Sequence, residues 1–429
     1  MSGKGLPNMS SCHKLLVFGM EYPPSTVGTA TYAHNLVIQM IARGVDVLVL
    51  APQYSELDCP AFDKHRSYDI VRMPWTDRRC GPLRYIVARK WLRRVTDEFA
   101  PDCIWTTNGT ATRVMGLMRG LKSSRASVIS CLCGSDIVTR LPGRGLIRRL
   151  ESIPQRRCYA HSAAINAVCD YLKSVAVEKA VDGEKIFVSP SGIDLSQFEK
   201  FRFSYERALG VNPFIKGRRV ILTVARLTEQ KRVDYCIRAV AQVLSRVPDL
   251  CYVVVGDGPE LPRLKSMVDA LGLTDRVFMK GRLNPMSQEL YDLYSCAQLF
   301  LLTSVREGLA NVFLEAGAFG LASIGSNDGG TPEVVVDGET GLLVDPNDVQ
   351  DIAAKLQRLL LNPGLCGEMG RRARERTHLK YSMEAAGQRK FEILESVVKK
   401  APGQHPASTG GGRGDRLGHT AETDGSWIS

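Results

Sequence analysis

The feature that most constrains this sequence is an alternation that runs through it twice: a short apolar run, a glycine-bearing loop, then a helical pattern. Lys14 to Phe18 is apolar and ends at Gly19, the loop Glu21-Tyr-Pro-Pro-Ser-Thr-Val-Gly28 follows, and apolar residues then recur at Ala33, Leu36, Val37, Met40 and Ile41. That spacing predicts strand, loop and helix. Gly44 closes the helix and Val45 to Leu50 opens a second strand, which makes a βαβ unit and requires a parallel sheet with helices on its faces. The pattern restarts at Val220 to Val224. A helix is predicted over 233–244 with apolar positions at 233, 236, 237, 240 and 244, and Cys251 to Val255 is a strand entering Gly256-Asp-Gly-Pro259. Further strands are expected at Val277 to Met279, Leu299 to Leu302 and Ala322 to Ile324.

A chain of 429 residues exceeds one ordinary core, so the two runs read as two domains. The expected organisation is a flexible N-terminus over 1–13, a first α/β domain over 14–205, an interdomain link over 206–216 and a second α/β domain over 217–385. A C-terminal helix over 386–400 should return to the first domain. Residues 401–429 are rich in Gly, Ser, Thr and Pro with little aliphatic content, too little to offset the entropy of ordering them, and are expected to be a disordered tail. Two doubly wound, Rossmann-like parallel sheets would face each other across a cleft, and ligands of such sheets bind outside the carboxyl ends of the strands.

The twelve cysteines contain no C-x2-C pair that would nucleate a zinc site and read as free thiols in a reducing compartment. No run of about 18 uncharged apolar residues appears, and the first residues lack the apolar stretch of a signal peptide. The protein is therefore expected in the cytoplasm. Its formal net charge is +11, and the segment from Val71 to Ala160 alone holds eighteen basic against six acidic residues. The densest parts, 84–94 and 140–149, mix cations with large apolar side chains. Such segments are solvated helix faces, or they lie on an anionic membrane surface on the inner face of the cell membrane, or they hold an anionic acceptor. No nucleic-acid module accompanies them, so nucleic acid is not expected as a partner.

Two constellations carry chemistry. In Arg306-Glu-Gly-Leu-Ala-Asn-Val-Phe-Leu-Glu315, two glutamates stand eight residues apart after a strand. If both lay on a helix they would be about 12 Å apart along its axis, comparable with the span of a nucleotide sugar from hexose to ribose. Glu307 would then accept from sugar hydroxyls and Glu315 from ribose hydroxyls. Between them Gly308, Leu309, Ala310 and Asn311 would offer backbone N–H groups at a helix N-terminus, which favours phosphate oxygens. In Val224-Ala-Arg-Leu-Thr-Glu-Gln-Lys231, Arg226 and Lys231 sit at the same carboxyl edge, and cations aimed at a departing diphosphate stabilise its developing charge. No two aspartates are separated by a single residue, so a metal clamp of that type is missing, and neither a metal ion nor any other cofactor is expected.

Together, these pieces resemble the large retaining GT-B glycosyltransferase family, family four. The resemblance spans nearly the whole folded chain: the loop ending at Gly28, Gly134-Ser-Asp136, Pro190-Ser-Gly-Ile-Asp-Leu-Ser-Gln-Phe198, Arg226 with Lys231, Gly256-Asp-Gly258, Glu307 with Glu315, Gly329-Gly-Thr-Pro-Glu333 and Asp337-Gly-Glu-Thr-Gly341. It implies that Arg226 and Lys231 bind the diphosphate, that Glu307 is the catalytic glutamate near the donor sugar, that Glu315 meets the ribose, that Gly28 approaches the donor, and that Gly281-Arg282 meets the nucleobase. It also implies transfer of a hexose or N-acetylhexosamine from a nucleotide-diphosphate sugar to a hydroxyl acceptor, with retention. The leaving phosphate oxygen would itself take the acceptor proton, so no side-chain base is needed. Two departures stand out: Cys133 occupies the family's histidine position, and Thr29 replaces a second glycine. A non-catalytic nucleotide-sugar-binding relative and a nucleotide-sugar epimerase on the same fold remain the alternatives. A dinucleotide oxidoreductase fails on the absence of a third glycine after Gly256-x-Gly258.

Overall fold

A computed structural model describes residues 13–399 apart from 26, 75, 77–79, 119–125, 135–145 and 286. Ser135 and Asp136 of the predicted motif, part of the basic stretch 140–149 and the expected tail lie outside the described residues.

The first sheet holds β1 (Lys14–Phe18), β2 (Asp46–Pro52), β3 (Asp69–Met73), β4 (Cys103–Thr106), β5 (Ser127–Leu132), β6 (Ala164–Ala167) and β7 (Ile186–Val188), in the order β3-β2-β1-β4-β5-β6-β7. The second holds β8 (Arg219–Val224), β9 (Leu250–Val255), β10 (Val277–Gly281), β11 (Ala297–Leu302), β12 (Ala322–Ser326) and β13 (Gly341–Val344), in the order β10-β9-β8-β11-β12-β13. Every paired strand is parallel. The fold is GT-B: two Rossmann-like sheets, each with strand order reversing between its first strand and its fourth. The strands are buried on both faces, which is why they read as unbroken apolar runs rather than as alternation. Apolar clusters fill each face, for example Ile221, Ile237, Val240, Tyr252 and Val254 on one side of the second sheet and Leu222, Val253, Phe300 and Leu302 on the other.

The stretch 206–216, expected as a link, is instead structured and docked. The helix Tyr205–Val211 and the turn Pro213–Ile215 bury Ala208 and Ile215 in the second domain's core. Arg207 makes two hydrogen bonds to the buried Asp292, at 2.7 and 2.8 Å. The apolar residues are too few and too irregularly spaced for a period to show, so the sequence reads as a connector.

The chain crosses between domains twice, and the crossings lie side by side. Ile193 N–H donates to Tyr381 O at 2.8 Å and Met383 N–H donates to Ile193 O at 3.0 Å. Gly192 makes this possible: its φ is +81°, and a Cβ there would lie 3.0 Å from Met383 Cα. The last helix, Met383–Lys399, then packs on the helix Gly28–Ile41, placing Leu394, Val397 and Val398 in the first domain's core. Lys390 from this helix is fully buried; its ammonium donates to Pro190 O and lies 5.8 Å from the Tyr32 ring.

Burial pushes the Lys390 amine down from 10.5 to about 7. Between those values the unfolded chain holds a proton that the folded chain lacks, so this residue makes stability rise with pH, by up to about 1.4 kcal/mol per unit. Urea unfolding of the wild type and Lys390→Met between about pH 7 and pH 10 should give a shallower rise for the variant. Equal slopes would show that the amine is not desolvated.

Candidate active site

The carboxyl ends of β8, β9, β11 and β12 converge because glycines let their loops touch. Gly256, at φ +147°, follows β9, and a Cβ on it would sit 1.8 Å from Ala225 O; a Cβ on Gly258, at φ +159°, would sit 2.3 Å from Leu227 O. Only a residue without a side chain fits either place. The loop after β8 is thereby pressed toward the loop after β11, where Val305 N–H donates to Gln230 O at 2.9 Å and Gln230 Nε2 donates to Arg306 O at 3.1 Å.

Lys231 stands across this junction from Glu307. Its Nζ is 2.5 Å from Glu307 Oε2, and the two side chains are 16% and 21% exposed. Arg226, in contrast, is exposed, and among the described residues its side chain has no hydrogen-bond or ion-pair partner. The two predicted cations therefore share an edge in unlike states, one committed to a carboxylate and one open.

The expected helical separation of the glutamates is not what forms. The helix begins at Asn311 and runs to Ala318, so Glu315 lies on it while Glu307 sits in the preceding loop, after Arg306 at φ +52°. The 12 Å rise does not apply. Gly308 and the strained Arg306 before Glu307 favour a loop where apolar spacing suggests a continuous helix. The loop is held from β12's end: Arg306 N–H donates to Asp328 Oδ1 at 2.5 Å, and Gly330 N–H donates to Glu307 O at 3.0 Å. Asp328 carries no signal in the sequence beyond its place before two glycines.

Glu315 accepts from Tyr294 Oη at 2.8 Å, and burial raises its carboxyl to about 7. Asn311 and Ala310 open the helix without a side-chain cap, and no acidic residue occupies its first turn. Arg282 is exposed after β10, next to Gly281 at φ +73°. On the first domain, Gly28 begins the helix Gly28–Ile41, again with no side-chain cap and no acidic residue in the first turn, and open space lies where its Cβ would be. The Thr29 hydroxyl is taken by Glu21. Cys133 follows β5, 2.8 Å in sulfur–sulfur distance from the buried Cys131, and donates to Thr107 O at 3.3 Å. Burial lowers His34 to about 4, so it is neutral at pH 7 and sits against Tyr68 at 3.1 Å.

The two domains meet at this edge. A Cβ on Gly308 would lie 3.1 Å from Leu172 Cδ1 and 3.5 Å from Gly134 Cα, both in the first domain. Leu309 packs against the first domain's cluster containing Leu132, Cys169 and Leu172. Gly308 and Leu309 thus meet the first domain beside Gly134 and Leu172. Glu333, which the sequence pattern includes without a role, reaches across the same boundary. Among the described residues no group of three or more His, Cys, Asp or Glu side chains is arranged to hold a metal ion. No helix among them is long and apolar enough to cross a membrane.

The family model for glycosyl transferases group 1 matches residues 205–376, and that for Glycosyltransferase Family 4 matches residues 27–197. The chain is 26% identical over 395 residues to a GDP-mannose-dependent alpha-(1-6)-phosphatidylinositol monomannoside mannosyltransferase of Mycolicibacterium smegmatis, covering 89% of this chain and 98% of the relative. In fold it is similar to Anabaena HepE in complex with UDP and glucose, with a TM-score of 0.74 at 17% identity over 90% of this chain and all of that one. It is similar also to the sucrose-phosphate synthase of Thermosynechococcus elongatus, with a TM-score of 0.76 at 19% identity over 90% and 99% of the two chains.

Gly329 tests how the Glu307 loop is held. It has φ +65°, and a Cβ there would meet Glu307 O at 2.4 Å and Glu307 N at 2.9 Å. Gly329→Ala should cost about 1–3 kcal/mol from backbone strain and displace the Glu307 backbone. A thermal melt reads the first effect and a crystal structure of the variant the second; a loop unmoved within error would contradict the close approach.

Proposed function

This chain belongs to glycosyltransferase family four, and from that premise we propose that it moves a hexose or N-acetylhexosamine from a nucleotide-diphosphate sugar to a hydroxyl acceptor, with retention and without a metal ion. The observation that carries the reading is the Lys231–Glu307 pair, half-buried where the loops after β8 and β11 meet. An ammonium has three donors, and Glu307 uses one, so Lys231 keeps two for diphosphate oxygens. Arg226 adds a guanidinium fork at the same edge. When the glycosidic C–O bond breaks, its electron pair goes to the diphosphate, and these fixed cations stabilise that charge without reorganising. The acceptor oxygen bonds to the anomeric carbon from the same face, and its proton passes to the departing phosphate oxygen.

Glu307 orients the donor sugar through its hydroxyls while Lys231 holds the carboxylate in place. Gly308 and Leu309 bring backbone N–H groups near the diphosphate, with Ala310 and Asn311 at the uncapped helix start. Gly28 presents a second uncapped helix N-terminus from the other domain. Glu315 has one oxygen on Tyr294, which leaves the other for a ribose hydroxyl. Arg282, exposed after β10, is assigned to the base by the family resemblance.

The acceptor is proposed to be lipid-linked and presented at an anionic membrane. The helix Leu83–Phe99 buries Ala88, Leu92 and Val95, while Leu83 and Ile86 are 52% and 53% exposed beside the exposed Arg89, Lys90, Arg93 and Arg94. A relative that covers nearly the whole chain acts on a phosphatidylinositol mannoside by its name.

A panel of nucleotide sugars including GDP-mannose and UDP-glucose, read by released nucleotide, should find a donor. With it, Glu307→Ala and Lys231→Ala should each lower kcat/KM at least about a hundredfold while melting as the wild type does. EDTA should leave turnover unchanged. Wild-type rates in either variant, or strict dependence on Mg²⁺, would overturn the site.

Vesicles of anionic lipid should bind the protein at low salt and release it at high salt, because exposed charges are screened beyond about 10 Å at 0.1 M. Replacing Arg89, Lys90, Arg93 and Arg94 by glutamine should remove the binding, and salt-independent binding would count against the basic helix as the contact.

A further inference from the structure

We propose that Glu333 is a positioning residue that latches the two domains shut over the donor site by capping a helix of the opposite domain. The latch itself stands on geometry, whereas its kinetic consequence rests on the transfer reading above.

Glu333 lies in the short helix Thr331–Val334, directly after the Gly329-Gly330 turn that buttresses Glu307. Its carboxylate serves the other domain. Oε2 accepts from Asp170 N at 2.8 Å and Oε1 accepts from Tyr171 N at 2.8 Å. These are the first amides of the nine-residue helix Asp170–Glu178, and amides at that end have no partner within their own helix. Cys169, in the capping position, supplies no side-chain bond of its own. A two-oxygen acceptor from the second domain thus does what a local cap does elsewhere, and its charge meets the positive end of the helix dipole.

The other end of Glu333 is tied to its own domain. Its carbonyl oxygen accepts from Arg376 Nη2 at 2.9 Å and from Tyr381 Oη at 2.5 Å, and Tyr381 O in turn accepts from Ile193 at the crossing between domains. One residue therefore connects the crossing, the turn behind Glu307 and the opposite domain. The surfaces it draws together fit at close range: a Cβ on Gly330 would lie 3.0 Å from Cys169 Sγ, and one on Gly308 would lie 3.1 Å from Leu172 Cδ1. Releasing the carboxylate removes two charge-assisted hydrogen bonds while leaving both folded domains intact. Gly308, next to Glu307, would then lose its close approach to Leu172 and Gly134.

The latch can be cut from either side. Glu333→Ala removes both acceptors, and Glu333→Gln keeps one acceptor oxygen. Asp170→Pro deletes one donor at the first helical position, where proline is accommodated, and Cys169 at φ −159° and ψ 161° suits the residue before it. Asp170→Ala keeps the amide and serves as the control. Small-angle X-ray scattering of the full chain should give a larger radius of gyration for Glu333→Ala and Asp170→Pro, a smaller increase for Glu333→Gln, and the wild-type value for Asp170→Ala. Hydrogen exchange of the peptide spanning Cys169 to Leu172 should speed up on the order of tenfold or more in Glu333→Ala, the scale of one charge-assisted bond. With a donor that the wild type turns over, donor KM should rise on the order of tenfold with kcat within about twofold, because saturating donor restores the closed arrangement. Scattering profiles identical to the wild type in both cutting variants would overturn the latch, as would a fall in kcat at unchanged KM. If the wild type turns over no donor, the transfer reading fails, and the scattering and exchange still decide the latch.

Discussion

Backbone segments at the edge of the second sheet lie closer than a methyl group allows, and the site depends on that closeness. Gly256 and Gly258 let the loop after β9 press on Ala225 and Leu227, and Gly329 and Gly330 let the loop after β12 press on Glu307 and Gly308. Four glycines thus set the positions of Lys231 and Glu307, two residues that belong to different loops and have no sequence proximity. The ion pair follows from this backbone arrangement. Held at 2.5 Å and mostly buried, it orders both side chains before any substrate arrives.

The extent to which this was legible in the sequence varies with the kind of signal. β1 was readable to the residue, since an apolar run ending at a glycine leaves little choice; β8 to β12 were found with ends short by one or two residues, and β3 to β7 and β13 were not singled out. Lys231 and Glu307 were found as functional candidates from charge at strand ends. Their pairing was not, because it depends on loop contacts between residues 76 apart. A helix N-terminus was expected within Gly308–Asn311 and forms at Asn311, but the helical rise expected from Glu307 to Glu315 does not, because Asp328 accepts the backbone of the loop that carries Glu307. The helix at 205–211 hid because one buried alanine and an arginine on Asp292 leave almost no periodicity. Glu333 was visible as part of a motif, but its partners are main-chain amides, which no side-chain pattern announces.

The two domains are joined by more than a covalent link. The outgoing and returning crossings hydrogen-bond to each other at Ile193, and the last helix crosses back to bury Leu394 and Lys390 in the first domain. Gly387 lets this helix approach the helix Gly28–Ile41 so closely that a Cβ would meet Arg43 Nη1 at 2.7 Å and Gln39 Cβ at 3.0 Å. The crossings therefore act as a short, stiff hinge on one side of the cleft. Gly308, Gly330 and Glu333 touch the first domain close to this hinge, since the Glu333 carbonyl oxygen accepts from Tyr381 Oη at the crossing itself.

The electrostatics of the two walls are consequently unequal, and this inequality matters for a reaction that creates negative charge. On the second domain, Lys231 is balanced by Glu307 and Arg226 is left open, so among the described residues an open cation stands beside an ordered ion pair. On the first domain, Cys133 contributes a small thiol bound to Thr107 O where a larger polar ring would otherwise stand, and Lys390 beneath it is desolvated enough to be partly neutral near pH 7. In the proposed reaction the cations Lys231 and Arg226 stand on the second domain, and the uncapped helix at Gly28 adds a partial positive charge from the first. Under that proposal, charge stabilisation would come from the domain assigned the leaving group, while the opposite wall would set the space left for the sugar and the acceptor.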